Sequence, residues 1–319
     1  MTGRALLAIL LALFWLPVCV ARAGVLRYCD PPATLSAQQN DKLYRLAGLI
    51  RTELESSGQR LALIARSGLD LSRFGIRYSH AGLSLKENPA NAWAIRQLYY
   101  DCDAQTPRIF DQGISAFLLG LANASAGFIS VVLMPEAQAH TLEAAALDNR
   151  QALQLLNHRY SANAHAFSVE YQNCNQWLAE LMASAWSPTS APGPQTLGPQ
   201  TLGPQTTGEG TQARLHAQSW LRQHHYTPTV FEIAWRPILW FAALIPWVHL
   251  DDHPAEDLEQ KQLRVSMPAS IETLVRTMAP ESTRIEFCHT AHHVVIRRGW
   301  EPIDEGCQPT SQDTVVTLD

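Results

Sequence analysis

The chain has 319 residues, of which 46% are apolar, and its formal net charge is −5. This length and apolar fraction are typical of a folded globular protein with one large domain or two small ones. The negative balance and the absence of any basic run or aromatic–basic interleaving give no sign of nucleic-acid binding.

The N-terminus has the pattern of a secretory signal peptide, predicted over residues 1–23. Arg4 precedes a continuous apolar run from Ala5 to Leu16, and Ala21-Arg22-Ala23 has small residues at the positions that a signal peptidase reads. The run is too short to span a membrane, so we expect no transmembrane span in the mature chain. A lipoprotein cleaved before Cys19 is the weaker alternative. The prediction is a bacterial protein that is periplasmic or secreted.

The cysteine content fits an oxidising compartment. Without the signal peptide the chain keeps Cys29, Cys102, Cys174, Cys288 and Cys307, an odd number. At least one thiol is therefore left over. Pairing does not follow from sequence alone, but Cys288 with Cys307 is a plausible local pair and Cys29 with Cys102 the remainder. Cys174 is then the candidate free thiol.

Taken in order, the first half of the mature chain predicts a helix, a buried strand and a hairpin. Apolar residues at helical spacing follow Ser36 and stop at Gly58, and Leu61–Ala65 is a compact apolar run. Phe74–Leu85 and Trp93–Tyr100 alternate like the two strands of a hairpin. In the first strand, Gly82 follows His80 on the same face and leaves open space beside the ring.

The middle of the chain predicts the element that carries Cys174. Helical spacing recurs over 114–121, a strand is predicted at Phe128–Leu133, and one or two helices over Glu136–Leu156. Ser168–Tyr171 reads as extended, and a helix begins at or just after Cys174 and ends near Trp186.

The domain prediction places a folded core, which would carry the catalytic residues, at 24–186 and a flexible insert at 187–211. The sequence Gly193-Pro194-Gln195-Thr196-Leu197 repeats at Gly198, and proline every five residues excludes helix and strand. Residues 212–319 are the C-terminal part of the same domain or a small appended subdomain. Within that part the sequence predicts a helix over 214–225, an apolar tryptophan-rich stretch over 233–248, a short helix opening at 268, and a closing hairpin over 285–297.

Cys174 is the candidate nucleophile. A thiol at a helix N-terminus lies among unpaired backbone N–H groups and at the positive end of the helix dipole, which favours the reactive thiolate. Asn173 is a suitable N-cap for that helix. A cysteine nucleophile needs an imidazole that takes its proton and returns it to the leaving group, and His80 is the candidate. The alternative is that Cys174 is a small buried residue of a core helix.

Two motifs resemble those of circularly permuted papain-like enzymes. Tyr78-Ser79-His80-Ala81-Gly82-Leu83 resembles their H-x-G-(I/L) strand, and Asn173-Cys174-Asn175-Gln176-Trp177-Leu178 is similar to their N-C-x-x-(F/W)-(V/L) helix start. Such enzymes include NlpC-type amidases and the lecithin:retinol acyltransferase group. The chain from the signal peptide through Asp251-Asp252-His253-Pro254 to Arg298-Gly299-Trp300 also resembles a family of secreted bacterial proteins of unknown function, over most of the mature chain. The resemblance implies an α+β, papain-like fold in permuted order, in which an antiparallel sheet carries the histidine and packs on the cysteine helix.

The resemblance also implies a third polar residue that orients the histidine ring. Gln97 is our choice, because it lies on the strand after His80 in phase with Trp93. Arg96 and Asn91 are competitors. The backbone N–H of Cys174 is one expected oxyanion donor, and Tyr78 is a second candidate.

A separate polar cluster, His249, Asp251, Asp252 and His253, has residue types that ligate zinc. Pro254 argues against a long helix that would place both histidines on one face, so a solvated turn is the competing interpretation.

The sequence thus predicts a thiol-dependent hydrolase or acyltransferase acting on an amide or ester, with cell-wall peptide or lipid as substrate class and no cofactor. The catalytic residues would be Cys174, His80 and Gln97. The first alternative is a non-catalytic binding or assembly protein on a degenerate enzyme fold. The second is a metal-dependent hydrolase that uses the His249, Asp251 and His253 cluster.

Overall fold

The computed structural model describes residues 35–187, 207–233 and 245–318. Within them, the helices are α1 (Ala37–Ser56), α2 (Ile114–Leu118), α3 (Glu136–Leu147), α4 (Asn149–Gln154), α5 (Cys174–Trp186), α6 (Thr207–Gln223), α7 (Ala255–Glu259) and α8 (Pro268–Met278). The strands are β1 (Leu61–Arg66), β2 (His80–Leu85), β3 (Ala94–Asp101), β4 (Thr106–Gln112), β5 (Gly127–Leu133), β6 (Thr229–Glu232), β7 (Gln262–Val265), β8 (Thr283–His289), β9 (His293–Arg298) and β10 (Thr314–Thr317).

Eight of these strands form one antiparallel sheet in the order β10-β9-β8-β5-β1-β2-β3-β4, and β6 pairs with β7 in a separate two-stranded sheet. Every residue of β1 is buried. A continuous apolar run is what a strand covered on both faces requires. The described chain is therefore mixed α+β with a large antiparallel sheet, which confirms that part of the prediction.

Helices cover both faces of the sheet. On one, which we call the α5 face, α3, α5, α6 and α8 pack against alternate residues of the strands, including Leu63 and Leu83. On the other, the α1 face, α1 and α2 pack against the intervening residues, including Ile64 and Ile95. Among the described residues, no helix combines the length and apolar character that crossing a membrane needs.

Two predicted extended segments differ from the structure. The first strand of the hairpin begins at His80 rather than at Phe74, because Gly75 adopts φ +69° and closes a short 3-10 turn before it. Residues 168–171 do not form a strand. Their backbone carbonyls accept hydrogen bonds from side chains of α6 instead, among them Arg214.

Four strands and one helix were not predicted. They are β4, β6, β7, β10 and α7. Pro107 obscures β4 in the sequence, yet β4 lies at the edge of the sheet, where a strand tolerates proline. Helix α6 begins at Thr207 rather than at Arg214, so the last residues of the predicted insert are helical. The predicted signal peptide, Cys29, residues 188–206 of the predicted insert and most of the tryptophan-rich stretch lie outside the described residues.

The cysteine assignments agree with the prediction as far as they are described. Cys288 and Cys307 form a disulfide that links β8 to the segment before β10. Cys102 is also disulfide-bonded. Among the described residues, Cys174 is the free cysteine. Within the ranges that the structure describes, the one unpaired thiol therefore lies at the start of α5.

Candidate active site

The first turn of α5 is fixed by its cap. The Asn173 side chain accepts a hydrogen bond from the backbone N–H of Gln176 at 2.7 Å, which confirms it as the N-cap. Its amide nitrogen donates to the carbonyl of Ala162 at 3.4 Å. Cys174 is thus the first helical residue, and its side chain is 8% exposed.

A buried ion pair holds the segment that leads into this turn. Glu180 on α5 is 0% exposed and forms a salt bridge with Arg214 on α6, at 2.8 Å between Oε2 and Nε. Gln172 and Gln218 donate to the same carboxylate, each at 2.7 Å. Arg214 also donates to the carbonyls of residues 168, 169 and 171. The segment that precedes Cys174 is therefore hydrogen-bonded to both α5 and α6.

His80 is the first residue of β2 and lies beyond the last hydrogen-bonded pair between β2 and β3. The ladder between these strands covers Leu83–Leu85 and ends before His80. Gly82 makes the close approach at this point, since a Cβ there would lie 2.7 Å from Cγ2 of Ile95 and 3.1 Å from Cβ of Gln97. Any larger residue would push β3 away. The function of Gly82 is thus to bring Gln97 near His80, rather than to leave open space beside the ring.

The three predicted residues form a linear chain of contacts. Nδ1 of His80 lies 3.1 Å from Sγ of Cys174, and Nε2 lies 2.5 Å from Oε1 of Gln97. Nε2 of Gln97 donates to Oε1 of Gln112 on β4, also at 2.5 Å. Gln112 therefore holds the Gln97 carbonyl towards the ring. Because that carbonyl can only accept, Nε2 of His80 carries the proton, and Nδ1 is free to accept the proton of the thiol.

Asn175 joins the two elements of the site directly. It is 2% exposed, and its Nδ2 donates to the carbonyl of Ser79 at 3.0 Å. Ser79 in turn accepts, through Oγ, from the N–H groups of Gly68 and Leu69 at 3.1 and 2.7 Å. The residue after the cysteine is thus bonded to the residue before the histidine, which fixes the distance between them.

The electrostatics favour a neutral thiol and a neutral imidazole. Burial raises the pKa of Cys174 to about 12, although the N–H groups of Asn175 and Cys174 and the charge of Arg66 act to lower it. Burial and Arg66 lower the pKa of His80 to about 3, against the raising effect of the Gln97 hydrogen bond. The N–H groups at the helix N-terminus do favour the thiolate as expected, but desolvation outweighs them, so the pKa of Cys174 lies above its ordinary value rather than below it.

Arg96 and Asn91, the alternative candidates for orienting the His80 ring, lie away from it. Arg96 pairs with Asp111, with Nη2 and Oδ2 2.6 Å apart, on the neighbouring strand. Asn91 is exposed in the turn before β3. The Tyr78 hydroxyl bonds to Glu286 and accepts from Arg284 at 3.0 Å, so it is occupied in a buried charged cluster and is not an oxyanion donor at Cys174.

The acidic and histidine residues at 249–253 brace two loops. Oδ2 of Asp252 accepts from the backbone N–H of His165 at 2.9 Å, and Nε2 of His253 lies 2.9 Å from the carbonyl of Asn163. These contacts hold the 245–253 loop against the segment that precedes Cys174.

The other two members of the cluster contact Tyr171. The His249 ring stacks on it with centroids 4.2 Å apart, and Asp251 accepts from its hydroxyl at 3.1 Å. In the part of the chain that the structure describes, no three histidine, cysteine or acidic side chains meet in a group that could hold a metal ion. The described residues thus provide no ligand set for the metal-dependent alternative.

Sequence reasoning missed Gln112, Asn175 and Arg66. Gln112 lies on β4, which the sequence did not predict because of Pro107. The two-residue spacing of Phe110 and Gln112 was the pattern that could have indicated this strand. Asn175 stood within the recognised motif without an assigned role. Arg66 ends an apolar run, and only the β1–β2 register shows that it pairs with His80.

Comparison with protein families gives a match over residues 53–275, more than half of the chain, to uncharacterized proteins conserved in bacteria, DUF2145. The chain belongs to the DUF2145 family. This agrees with the predicted bacterial family of unknown function. Comparisons with curated proteins and with solved structures gave no match. For this DUF2145 protein, function therefore has to be argued from the site itself.

Proposed function

We propose that this DUF2145 protein is a thiol-dependent acyl hydrolase or acyltransferase that acts on an amide or an ester. One observation carries the proposal: Cys174 Sγ, His80 and Gln97 Oε1 are connected through the two ring nitrogens at 3.1 and 2.5 Å. Nucleophile, base and orienting group in hydrogen-bond contact are the geometry that covalent acyl transfer requires.

In the proposed reaction, Sγ of Cys174 attacks the carbonyl carbon while its proton moves to Nδ1 of His80. The carbonyl electron pair moves to oxygen, and the backbone N–H groups of Cys174 and Asn175 are the candidate donors to that oxyanion. When the tetrahedral intermediate collapses, the carbon–nitrogen or carbon–oxygen bond breaks and His80 returns the proton to the leaving group. Water, or an acceptor hydroxyl or amine, then attacks the thioester with His80 as base and releases the thiol.

The finer features of the proposal have partial support. A cysteine helix packed against an antiparallel sheet that carries an earlier histidine agrees with a permuted papain-like arrangement. The Cys288–Cys307 disulfide agrees with a periplasmic or secreted location. Cell-wall peptide or lipid ester as the substrate class follows from that location and the motif resemblance. N-terminal sequencing of the mature protein tests the cleavage after residue 23.

The test uses 4-nitrophenyl butyrate and a peptide anilide as probes. Wild type is expected to release the chromophore from at least one of them and to form an acyl adduct on Cys174, detected by mass spectrometry of the quenched enzyme. Cys174→Ala removes the nucleophile and His80→Ala removes the base, so both should abolish turnover. His140→Ala, on the exposed side of α3, is the matched control and should keep full turnover.

Circular dichroism and thermal unfolding of each variant establish that the fold is intact. Cys174→Ala with undiminished turnover and an adduct on another residue would disprove the proposal.

The thiol environment also favours one alternative, a binding protein on a former enzyme fold. Cys174 is 8% exposed, and burial raises its pKa to about 12, so little thiolate exists at neutral pH. On this alternative wild type acquires no adduct from either probe, and Cys174→Ala behaves like wild type in every assay.

A further inference from the structure

We propose that one face of the β3–β4 hairpin binds the substrate of Cys174, and that this substrate is an extended peptide with an aromatic side chain. The inference rests on the proposed function, because it names the substrate class of the same site. Its basis is a strip of side chains on the hairpin that begins at Gln97, the residue that contacts His80.

The strip consists of three contacting pairs of side chains, each with one residue from β3 and one from β4. These pairs are Gln97 with Gln112, Tyr99 with Phe110, and Asp101 with Arg108. The first pair is a hydrogen bond, the second an edge-to-face ring contact with centroids 6.0 Å apart, and the third a salt bridge of 3.3 Å. Each contact follows the same diagonal of the β3–β4 register, so all six side chains leave one face of the sheet.

Exposure increases along the strip with distance from His80. Gln97 is 3% exposed, Phe110 is 39% exposed, and the side chain of Arg108 is 53% exposed. On the other side of Gln97, α2 packs over Ile95 and covers that part of the same face. The opposite face of the hairpin packs into the core. A chain that reaches His80 over this face therefore has its open path along the strip.

The spacing of the three pairs matches an extended peptide. Successive pairs are two residues apart on each strand, which is about 7 Å, and side chains on one face of an extended peptide have the same spacing. Such a peptide can place one side chain over the aromatic pair and the next side chain of that face beside the salt bridge. A linear acyl chain gains nothing from the polar pairs at the two ends of the strip, so the spacing favours a peptide.

An aromatic side chain fits the middle pair best. Tyr99 and Phe110 already meet edge to face, and the Phe110 ring is the more exposed of the two. A third ring gains the edge-to-face attraction in addition to the apolar area that it buries. The strip therefore selects phenylalanine or tyrosine over a small side chain.

A second apolar surface lies on the other side of β2. Leu69 and Leu119 are 50% and 45% exposed. The N–H of Leu69 donates to Oγ of Ser79, directly before the histidine. The two leucine loops meet, since a Cβ on Gly68 would lie 3.3 Å from the carbonyl oxygen of Gly120. Because β1 and β3 flank β2, the site has aliphatic residues on one side and aromatic residues on the other.

The experiment measures peptide binding by NMR titration of Cys174→Ala, which lacks the nucleophile. The probes are blocked heptapeptide amides of alternating alanine and serine, with phenylalanine at each position in turn, and the parent peptide without it. For at least one position, phenylalanine is expected to lower the dissociation constant about three- to tenfold, the gain from an added aromatic contact.

Adding Phe110→Ser to Cys174→Ala should remove this preference. The matched control is Val315→Ser on β10, an exposed apolar residue at the other edge of the sheet, and it should keep the preference. If the Phe110→Ser protein does not fold, intermolecular NOEs in Cys174→Ala between the peptide ring and the Phe110 ring give the answer, and their absence overturns the proposal.

Three results of the titration overturn the proposal. They are equal affinity for all peptides, no saturable binding of any peptide, and a preference that survives Phe110→Ser. Dodecanoyl glycinamide is the competing probe. If it displaces the phenylalanine peptide and its own binding depends on Phe110, the strip binds an acyl chain and the proposal is overturned.

Failure here is distinguishable from failure of the proposed function, because binding to Cys174→Ala requires no turnover. An acyl adduct on Cys174 in wild type without a phenylalanine preference refutes the peptide strip alone. A preference that depends on Phe110, in a protein that forms no adduct, refutes the proposed reaction alone.

Discussion

The contact between Gln97 and His80 gives the sharpest quantitative expectation. Gln97→Glu puts a carboxylate oxygen where the amide carbonyl lies, 2.5 Å from Nε2 of His80. An opposite charge at such range raises the pKa of a base by about 1–3 units. From the value of about 3 set by burial and Arg66, the pKa of His80 should rise to about 4–6. Gln112 can turn its amide so that its N–H group meets the new carboxylate.

Gln97→Leu is the matched control. It removes the hydrogen bond that raises the pKa of His80, so that pKa should fall below the wild-type value. The two variants therefore move the same pKa in opposite directions. The leucine also removes the acceptor that selects the tautomer, so Nδ1 of His80 should become protonated in part of the molecules.

The assay is an NMR titration of protein labelled with ¹⁵N-histidine, with His80→Ala identifying the resonances of His80. In wild type the shifts should show a protonated Nε2 and an unprotonated Nδ1 throughout the folded range. A pKa of His80 that is unchanged in folded Gln97→Glu would refute the assignment of Gln97 as the orienting residue.

Two further expectations concern stability. Arg214→Met leaves the carboxylate of Glu180 buried without its cation and should lower the free energy of unfolding, measured in urea, by about 3–5 kcal/mol. The double variant Glu180→Gln with Arg214→Met should lose much less. A loss below about 1 kcal/mol for the single variant would contradict this expectation. Burial lowers the pKa of His289 to about 4, of His165 to about 4 and of His80 to about 3, from an ordinary value of 6.5. The unfolded chain therefore binds protons more tightly, and stability present above pH 6.5 should fall towards pH 4 by up to about 1.4 kcal/mol per pH unit for each histidine. His289→Asn should reduce that slope in urea titrations at pH 7, 6 and 5, and an unchanged slope would argue against a buried neutral His289.

Sequence patterns predicted the helices and strands whose formation depends on residues close together in the sequence. The helix from Ser36, the run at Leu61–Ala65 and the start of α5 at Cys174 each show their period, cap or apolar run in the sequence. The pairing of His80 with Cys174 and Gln97 followed from residue types and motif order, and the structure brings those three side chains together.

The remaining parts depend on contacts between segments distant in sequence. The strand expected at Ser168–Tyr171 does not form because Arg214, more than forty residues later, takes its carbonyls. The thiol pKa was expected to be low from the helix N-terminus, and only the packed structure shows how strongly burial opposes it. Gln112 and Arg66 enter the site through strand register, which no local pattern specifies.

The candidate site residues come early in the chain, and some of the residues that support them come late. His80, Gln97 and Cys174 all precede residue 188, whereas Arg214 and β8, the neighbour of β5, follow the insert. A ribosome that has released only the first 187 residues has delivered all three side chains of the candidate site. The same part of the chain contains Glu180 without its partner Arg214, and β5 without its neighbouring strand β8. The segment around Cys174 is therefore supported in part by residues after position 206, which supply none of the three side chains at the candidate site.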